Sequence, residues 1–180
     1  MGLPSNNSLC KTCNLNKIHQ LPFKDKLKHI SLPLDCVHLD LVGPISPPSA
    51  GGSRYFLTIF YQFTSYKIAC MIKSKSDTFD QFVVAKNSME NHQKQTIKKV
   101  ISDHGEEFMN KKFKEILASC SFTHVFSPAY TPQHNGFSER ANWTILDKSK
   151  YLLDESGLAK QYWAKAINTS TLLTNLIPTP

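Results

Sequence analysis

Tyr55-Phe56-Leu57-Thr58-Ile59-Phe60-Tyr61 is rich in aromatic and β-branched residues. Such a run reads as a strand. A short polar turn leads from it to Lys67–Ile72, a second apolar stretch, so the two form a hairpin. Upstream, Leu34 to Val42 alternates loosely and stops at Gly43-Pro44, which marks a third strand followed by a loop rich in proline and glycine. Downstream, Ser76 is placed to cap a helix, with Asp77 in its first turn. Phe79, Phe82, Val83, Lys86 and Met89 then recur on one helical face. Ile97 to Ser102 reads as a strand, Phe108 to Ala118 as a helix and Phe122 to Phe126 as a strand. Ser127 to Gly136 reads as a loop, Phe137 to Leu153 as a helix, and a last helix starts near Leu158 and runs to Leu176 after the stop at Gly157. The order β, β, β, α, β, α, β, α, α predicts an α/β domain: a mixed five-stranded sheet flanked by helices.

The chain has 180 residues, which suits one domain with a short appendage, and residues 1–34 form that appendage, a polar, basic, extended arm. No apolar run approaches the roughly 18 residues needed to cross a bilayer, so a membrane partner is not expected. The N-terminus lacks the apolar segment of a secretory signal, and the five cysteines are then read as reduced thiols, not as a disulfide framework. Cys36, Cys70 and Cys120 read as structural thiols. Lys and Arg total 21 against 14 Asp and Glu, a net charge of +7 that favours a polyanionic partner. Arg54 and Arg140 are the two arginines, so most of the positive charge is lysine. Lysine tracks phosphates well and reads bases poorly.

Three carboxylates stand out. Asp40 lies inside the apolar strand His38-Leu39-Asp40-Leu41-Val42, where a carboxylate is costly to bury without a partner. Asp103 ends the strand Val100-Ile101-Ser102, and sites gather at the carboxyl ends of strands in open α/β sheets. Glu139 opens a helix, after a gap of 35 residues spanning 104–138. Singly, each has a plain structural reading: Asp103 as a turn former before Gly105, Glu139 as a partner of Arg140 or Lys150. Together they would repel unless cations neutralise them, and oxygen donors of this kind suit Mg²⁺ or Mn²⁺. Two such ions, roughly 3.5–4 Å apart, are apparatus for in-line attack at a phosphodiester.

The motifs in order resemble the integrase region of a copia-type LTR-retrotransposon Pol polyprotein, a relative of retroviral integrases. The resemblance runs through Cys10-Lys11-Thr12-Cys13, His38-Leu39-Asp40-Leu41-Val42-Gly43-Pro44 and Ser102-Asp103-His104-Gly105-Glu106-Glu107-Phe108. It continues in Tyr130-Thr131-Pro132-Gln133-His134-Asn135-Gly136-Phe137-Ser138-Glu139-Arg140-Ala141-Asn142 and Tyr162-Trp163-Ala164-Lys165-Ala166. It implies an RNase H-like core over residues 31–180, preceded over 1–30 by the remnant of a His-His-Cys-Cys zinc-binding segment. It implies that Asp40, Asp103 and Glu139 are the catalytic and metal-binding acids, holding two Mg²⁺ or Mn²⁺ ions for DNA 3′-end cleavage and strand transfer. It also implies action in the nucleus or a cytoplasmic particle, DNA as element end and as target, and a homo-oligomer when full length.

Five positions depart from the family's pattern: Tyr61-Gln62 where acids are usual, His104 for Asn, Trp143 for Arg and Lys165 for Glu. Cys10 and Cys13 have zinc-ligand spacing but make only half of a four-ligand Zn²⁺ site. The alternative for them is a solvated turn with reduced thiols. Lys94, Lys98 and Lys99 cluster before the Asp103 strand. Lys148 and Lys150 follow Glu139 on its helix, and Asn135 and Arg140 flank it; all seven are candidate nucleic-acid contacts. Tyr130 to His134 is a candidate flap. Two rival functions remain at this point. One is a decayed or co-opted copy that binds nucleic acid without catalysis. The other is an RNase H-type nuclease acting on RNA.

Overall fold

The structure, a computed structural model, describes residues 30, 32–109, 113, 115, 122–127 and 132–177. Cys10, Cys13, Cys120 and the arm over 1–29 lie outside the described residues.

Five strands form one mixed sheet. β1 (Val37–Val42) is central, pairing antiparallel with β2 (Tyr55–Tyr61) and parallel with β4 (Lys99–Ser102). β3 (Lys67–Ile72) extends the hairpin on one edge and β5 (Thr123–Phe126) lies parallel to β4 on the other, giving the order β3-β2-β1-β4-β5. The first three strands are a meander because short turns permit only antiparallel neighbours; β4 and β5 are reached after helical segments, as parallel pairing requires. This is the predicted α/β architecture.

Strand alternation sends successive side chains to opposite faces. Leu39, Leu57 and Ile59 face the larger core, shared with Phe82 and Met89 of α1 (Thr78–Gln93), Phe108 of α2 (Glu106–Met109) and Phe113. Phe56, Val42, Ala69 and Met71 face the other side. They pack there on Ile145 of α3 (Pro132–Ser156) and on Trp163 and Ile167 of α4 (Trp163–Leu176). The sheet is thus a middle layer. Asp40, two residues before Val42, points to the α3 side.

Several boundaries differ from expectation. A 3₁₀ turn, Lys75–Asp77, precedes α1, and its cap is Ser74, not Ser76: Ser74 and Asp77 satisfy each other's backbone amides. Pro132–Gly136, read as loop, belongs to α3. A proline is tolerated in a helix's first turn, where its missing N–H has no partner to lose. A Cβ at Gly136 would meet no atom within 4 Å, so no close packing demands a glycine there. Glu139 therefore lies in the third turn, and Pro132 to His134 belong to the first turn; Tyr130 and Thr131 of the candidate flap lie outside the described residues. A second 3₁₀ turn, Lys160–Tyr162, delays α4 to Trp163. Gly157 does separate the two helices, at φ +64°.

Candidate active site

Gly43 directly follows β1, and only glycine fits there: its φ is +139°, and a Cβ would lie 2.6 Å from Tyr55 Cδ1 and 2.7 Å from the Arg54 carbonyl oxygen. The close pass pins β1 against β2 and fixes the register that sets Asp40 opposite Thr58. Thr58 is fully buried. Its hydroxyl donates to Asn142 Oδ1, and Asn142 Nδ2 donates to Asp40 Oδ2 over 2.8 Å. Asn142 lies three residues after Glu139 on α3. The bond to Asp40 therefore ties the helix that carries Glu139 to the strand that carries Asp40.

Asp40 is half-buried, and its carboxyl is pushed up to about 6. Burial is the main cause, followed by the negative charges of Asp103 and then Glu139; the Asn142 bond and the Leu41 amide oppose the rise. The two other acids are therefore within electrostatic reach of Asp40. Asp103 follows the carboxyl end of β4, half-buried, and its Oδ1 accepts from the Gly105 amide over 3.0 Å. Gly105 keeps this turn tight, since a Cβ would come within 3.0 Å of Asp103 Oδ1 and 2.8 Å of Glu107 Cδ. Ser102 braces the same turn, bonded to the Asp103 carbonyl and within 2.9 Å of His124 Nε2. Glu139 is exposed.

Gln62, His104, Trp143 and Lys165 are accommodated locally. Gln62 Oε1 lies 2.9 Å from Nε2 of the buried His38. The His104 ring stacks on Phe126, centroids 5.2 Å apart. Trp143 and Lys165 are exposed. Cys36 is buried, and burial pushes its thiol up to about 11, which suits a structural thiol and not a nucleophile. Cys70 is half-buried.

The lysines separate into groups. Lys94 and Lys98 line a groove of about 600 Å³ with Leu32, Glu90, Asn91, Gln95 and Thr96. They precede β4 while Asp103 follows it, so the strand's four residues, roughly 13 Å, lie between. Lys98 is also paired with Asp35 at 2.7 Å, and Lys99 begins β4 at the same far end. On α3, nine residues from Glu139 amount to two and a half turns, which puts Lys148 on the opposite side of the helix. Its ammonium donates to Thr174 of α4 over 3.1 Å, and its charge adds to burial in lowering the Lys67 ammonium from its ordinary range. Lys150, eleven residues on, returns to Glu139's side and is exposed. Arg140 is exposed and sits 5.3 Å over the Phe137 ring. Asn135 is the fourth residue of α3; its side chain lies outside the described part.

Residues 31–132 match the Integrase core domain family. The chain belongs to the integrase core family. The matched span holds Asp40 and Asp103 and stops before Glu139. The likeness to Pol polyproteins is longer. The chain is 34% identical over 179 residues to the Retrovirus-related Pol polyprotein from transposon RE2 of Arabidopsis thaliana, covering 98% of this chain and 12% of that protein. It is 31% identical over 169 residues to that from transposon TNT 1-94 of Nicotiana tabacum, covering 94% and 13%. This integrase core thus spans about an eighth of the length of those relatives, which are of the copia type. Its fold is also that of the HTLV-2 integrase catalytic core domain in complex with magnesium. The dimeric form of that structure gives a TM-score of 0.59 at 19% identity, covering 83% of this chain and 91% of that one. The trimeric form gives 0.56 at 20%, covering 78% and 84%. The sheet and helices are accordingly RNase H-like.

The residues present fit a divalent cation in kind. The donors are carboxylate oxygens, and Asp40 marks a centre of unbalanced negative charge. Among the described residues, no three of His, Cys, Asp or Glu stand close enough together to hold an ion as they are. Among the same residues, no helix is long and apolar enough to cross a membrane.

Proposed function

We propose that this integrase core performs metal-dependent cleavage and strand transfer on DNA, with Asp40, Asp103 and Glu139 as its acids. The observation that carries the reading is the Asp40 carboxyl, pushed up to about 6 by burial and by the charges of Asp103 and Glu139. A site that gathers negative charge against its own repulsion is suited to a cation. Asp40, Asp103 and Glu139 would hold the ions, Mg²⁺ or Mn²⁺. Bound there, such ions supply an activated water or 3′-hydroxyl and charge relief at the leaving oxygen.

The chain's own residues do the rest. Asn142 holds the Asp40 carboxylate through Oδ2. Thr58 orients the Asn142 amide by donating to its oxygen, so the nitrogen faces Asp40. The Gly105 amide fixes the Asp103 carboxylate. Lys150 and Arg140, on or near the Glu139 side of α3, are placed for backbone phosphates. Residues 1–30, with Cys10 and Cys13, are read as half of a zinc segment. The partner is DNA, and the place of action is the nucleus or a cytoplasmic particle.

The test is cleavage of a labelled duplex, and reversal of strand joining, with Mn²⁺. Weak Mn²⁺-dependent activity is expected, abolished separately by Asp40→Asn, Asp103→Asn and Glu139→Gln, and unchanged by Cys10→Ser. A folded chain that binds DNA and cleaves none would instead support the reading of a non-catalytic remnant. Preference for an RNA–DNA hybrid would favour the RNase H-type reading.

A further inference from the structure

Trp143 is 72% exposed, a large apolar ring held outward in the middle of a long helix. It follows Glu139 by four residues and Arg140 by three, so it stands one helical turn above both and on their side of α3. Lys150, seven residues further, continues the same side two turns on. The other tryptophan, Trp163, is 5% exposed, and its Nε1 donates to the Pro47 carbonyl over 3.0 Å. One indole is therefore built into the core and the other is presented to solvent beside the proposed site.

We propose that Trp143 is a stacking platform for an unpaired nucleobase of the DNA strand that enters the Asp40, Asp103 and Glu139 site. This rests on the function proposed above and adds a contact to it. The indole offers a flat π-face, and base–aromatic stacking is tolerant of sequence because every base has such a face. Its neighbours favour nucleic acid over a second protein surface. Arg140 and Lys150 supply cations for the backbone on either side. Exposed Thr144 and Asp147 keep the surroundings polar; among the described residues of this stretch, the edge of Leu146, at 37%, adds apolar surface, and Tyr151, at 71%, stands two turns on, beyond Asp147. A protein interface would call for a contiguous apolar patch. The base must be unpaired because the bases inside a duplex already stack on one another. Those available lie at a frayed end or an overhang, where end processing takes place. Lysine and arginine on this face contact phosphates; Trp143 contributes the contact that phosphates cannot give.

The two tryptophans make the test direct. Intrinsic fluorescence of the full chain is followed in EDTA during titration with a blunt duplex and with the same duplex carrying a short unpaired overhang. The expected result is quenching, stronger and at lower concentration with the overhang. Trp143→Ala should abolish the quenching and weaken overhang binding roughly tenfold, with a smaller effect on the blunt duplex. Trp143→Phe should keep the overhang preference. Because the ring is exposed, both variants should match the wild type in circular dichroism and melting. Unchanged overhang preference in Trp143→Ala, or quenching that persists in it, would overturn the platform while leaving the integrase reading intact. A wild-type dimer that Trp143→Ala dissociates, with DNA binding unchanged, would also overturn it and assign the ring to a second copy. If the wild type bound neither DNA, the function proposed above would fail with it.

Discussion

The Asn142 amide donates to Asp40 Oδ2 over 2.8 Å, joining the middle of α3 to the centre of the sheet across 102 residues of sequence. Together with the Leu41 amide, this bond opposes the repulsion that Asp40 receives from Asp103 and Glu139. Replacing Asn142 by leucine should therefore raise the Asp40 carboxyl further. It also leaves the buried Thr58 hydroxyl without its acceptor. The expected loss is about 1–3 kcal/mol in chemical denaturation, the range for stranding buried polar groups. Asn142→Asp should cost at least as much in EDTA and recover part of the loss on adding Mn²⁺. Denaturation midpoints within error of the wild type would show that the bond does not hold the helix.

The sign of the pH dependence follows from Asp40. Its folded value of about 6 lies above the ordinary carboxyl value near 4. Between those values the folded chain keeps a proton that the unfolded chain has released. The stability this group contributes is thus present at low pH and lost as pH rises through about 6. In EDTA, the wild type should lose melting temperature between about pH 4 and 6 relative to Asp40→Asn. Parallel curves for the two would withdraw the assignment.

Divalent ions should reverse that trend, because they bind the ionised form. Ligand that binds only the folded state raises stability by mass action, about 2.7 kcal/mol at a hundred times the dissociation constant. Millimolar Mn²⁺ should therefore raise the melting temperature at pH 7.5 more than at pH 5.5. Asp103→Asn should weaken the effect. A melting temperature indifferent to Mn²⁺ at both pH values would argue against a metal site.

The fold was legible because each strand carries its own signal. Tyr55–Tyr61 is rich enough in aromatic and β-branched residues to read as a strand, and the order of elements after it leaves few topologies. The start of α3 was not legible, since Pro132 and Gly136 carry loop signals that the helix's first turns tolerate. The three acids could be picked out by their setting in strand, strand end and helix. The Thr58–Asn142–Asp40 chain could not, because it depends on the β1–β2 register and on how α3 crosses both strands. Neither exists in the linear sequence. Lys148 is a different case: counting nine residues from Glu139 at 3.6 per turn already turns it away.

That count supports the last prediction, which sets two lysines two residues apart against each other. Lys150 lies on the Glu139 side of α3 and is exposed, whereas Lys148 reaches Thr174 on α4. If DNA lies along the Glu139 side, Lys150→Gln removes a phosphate contact and Lys148→Gln does not. Affinity for a blunt duplex, measured between 50 and 200 mM salt, should fall for Lys150→Gln, and the salt slope should shrink by about one unit. Lys148→Gln should leave both unchanged. It should also let the Lys67 ammonium return toward its ordinary range, since Lys148 is one of the two influences lowering it. That shift is measurable by NMR of the side-chain carbons. Equal losses of affinity for the two variants would mean that the duplex does not follow this side of the helix.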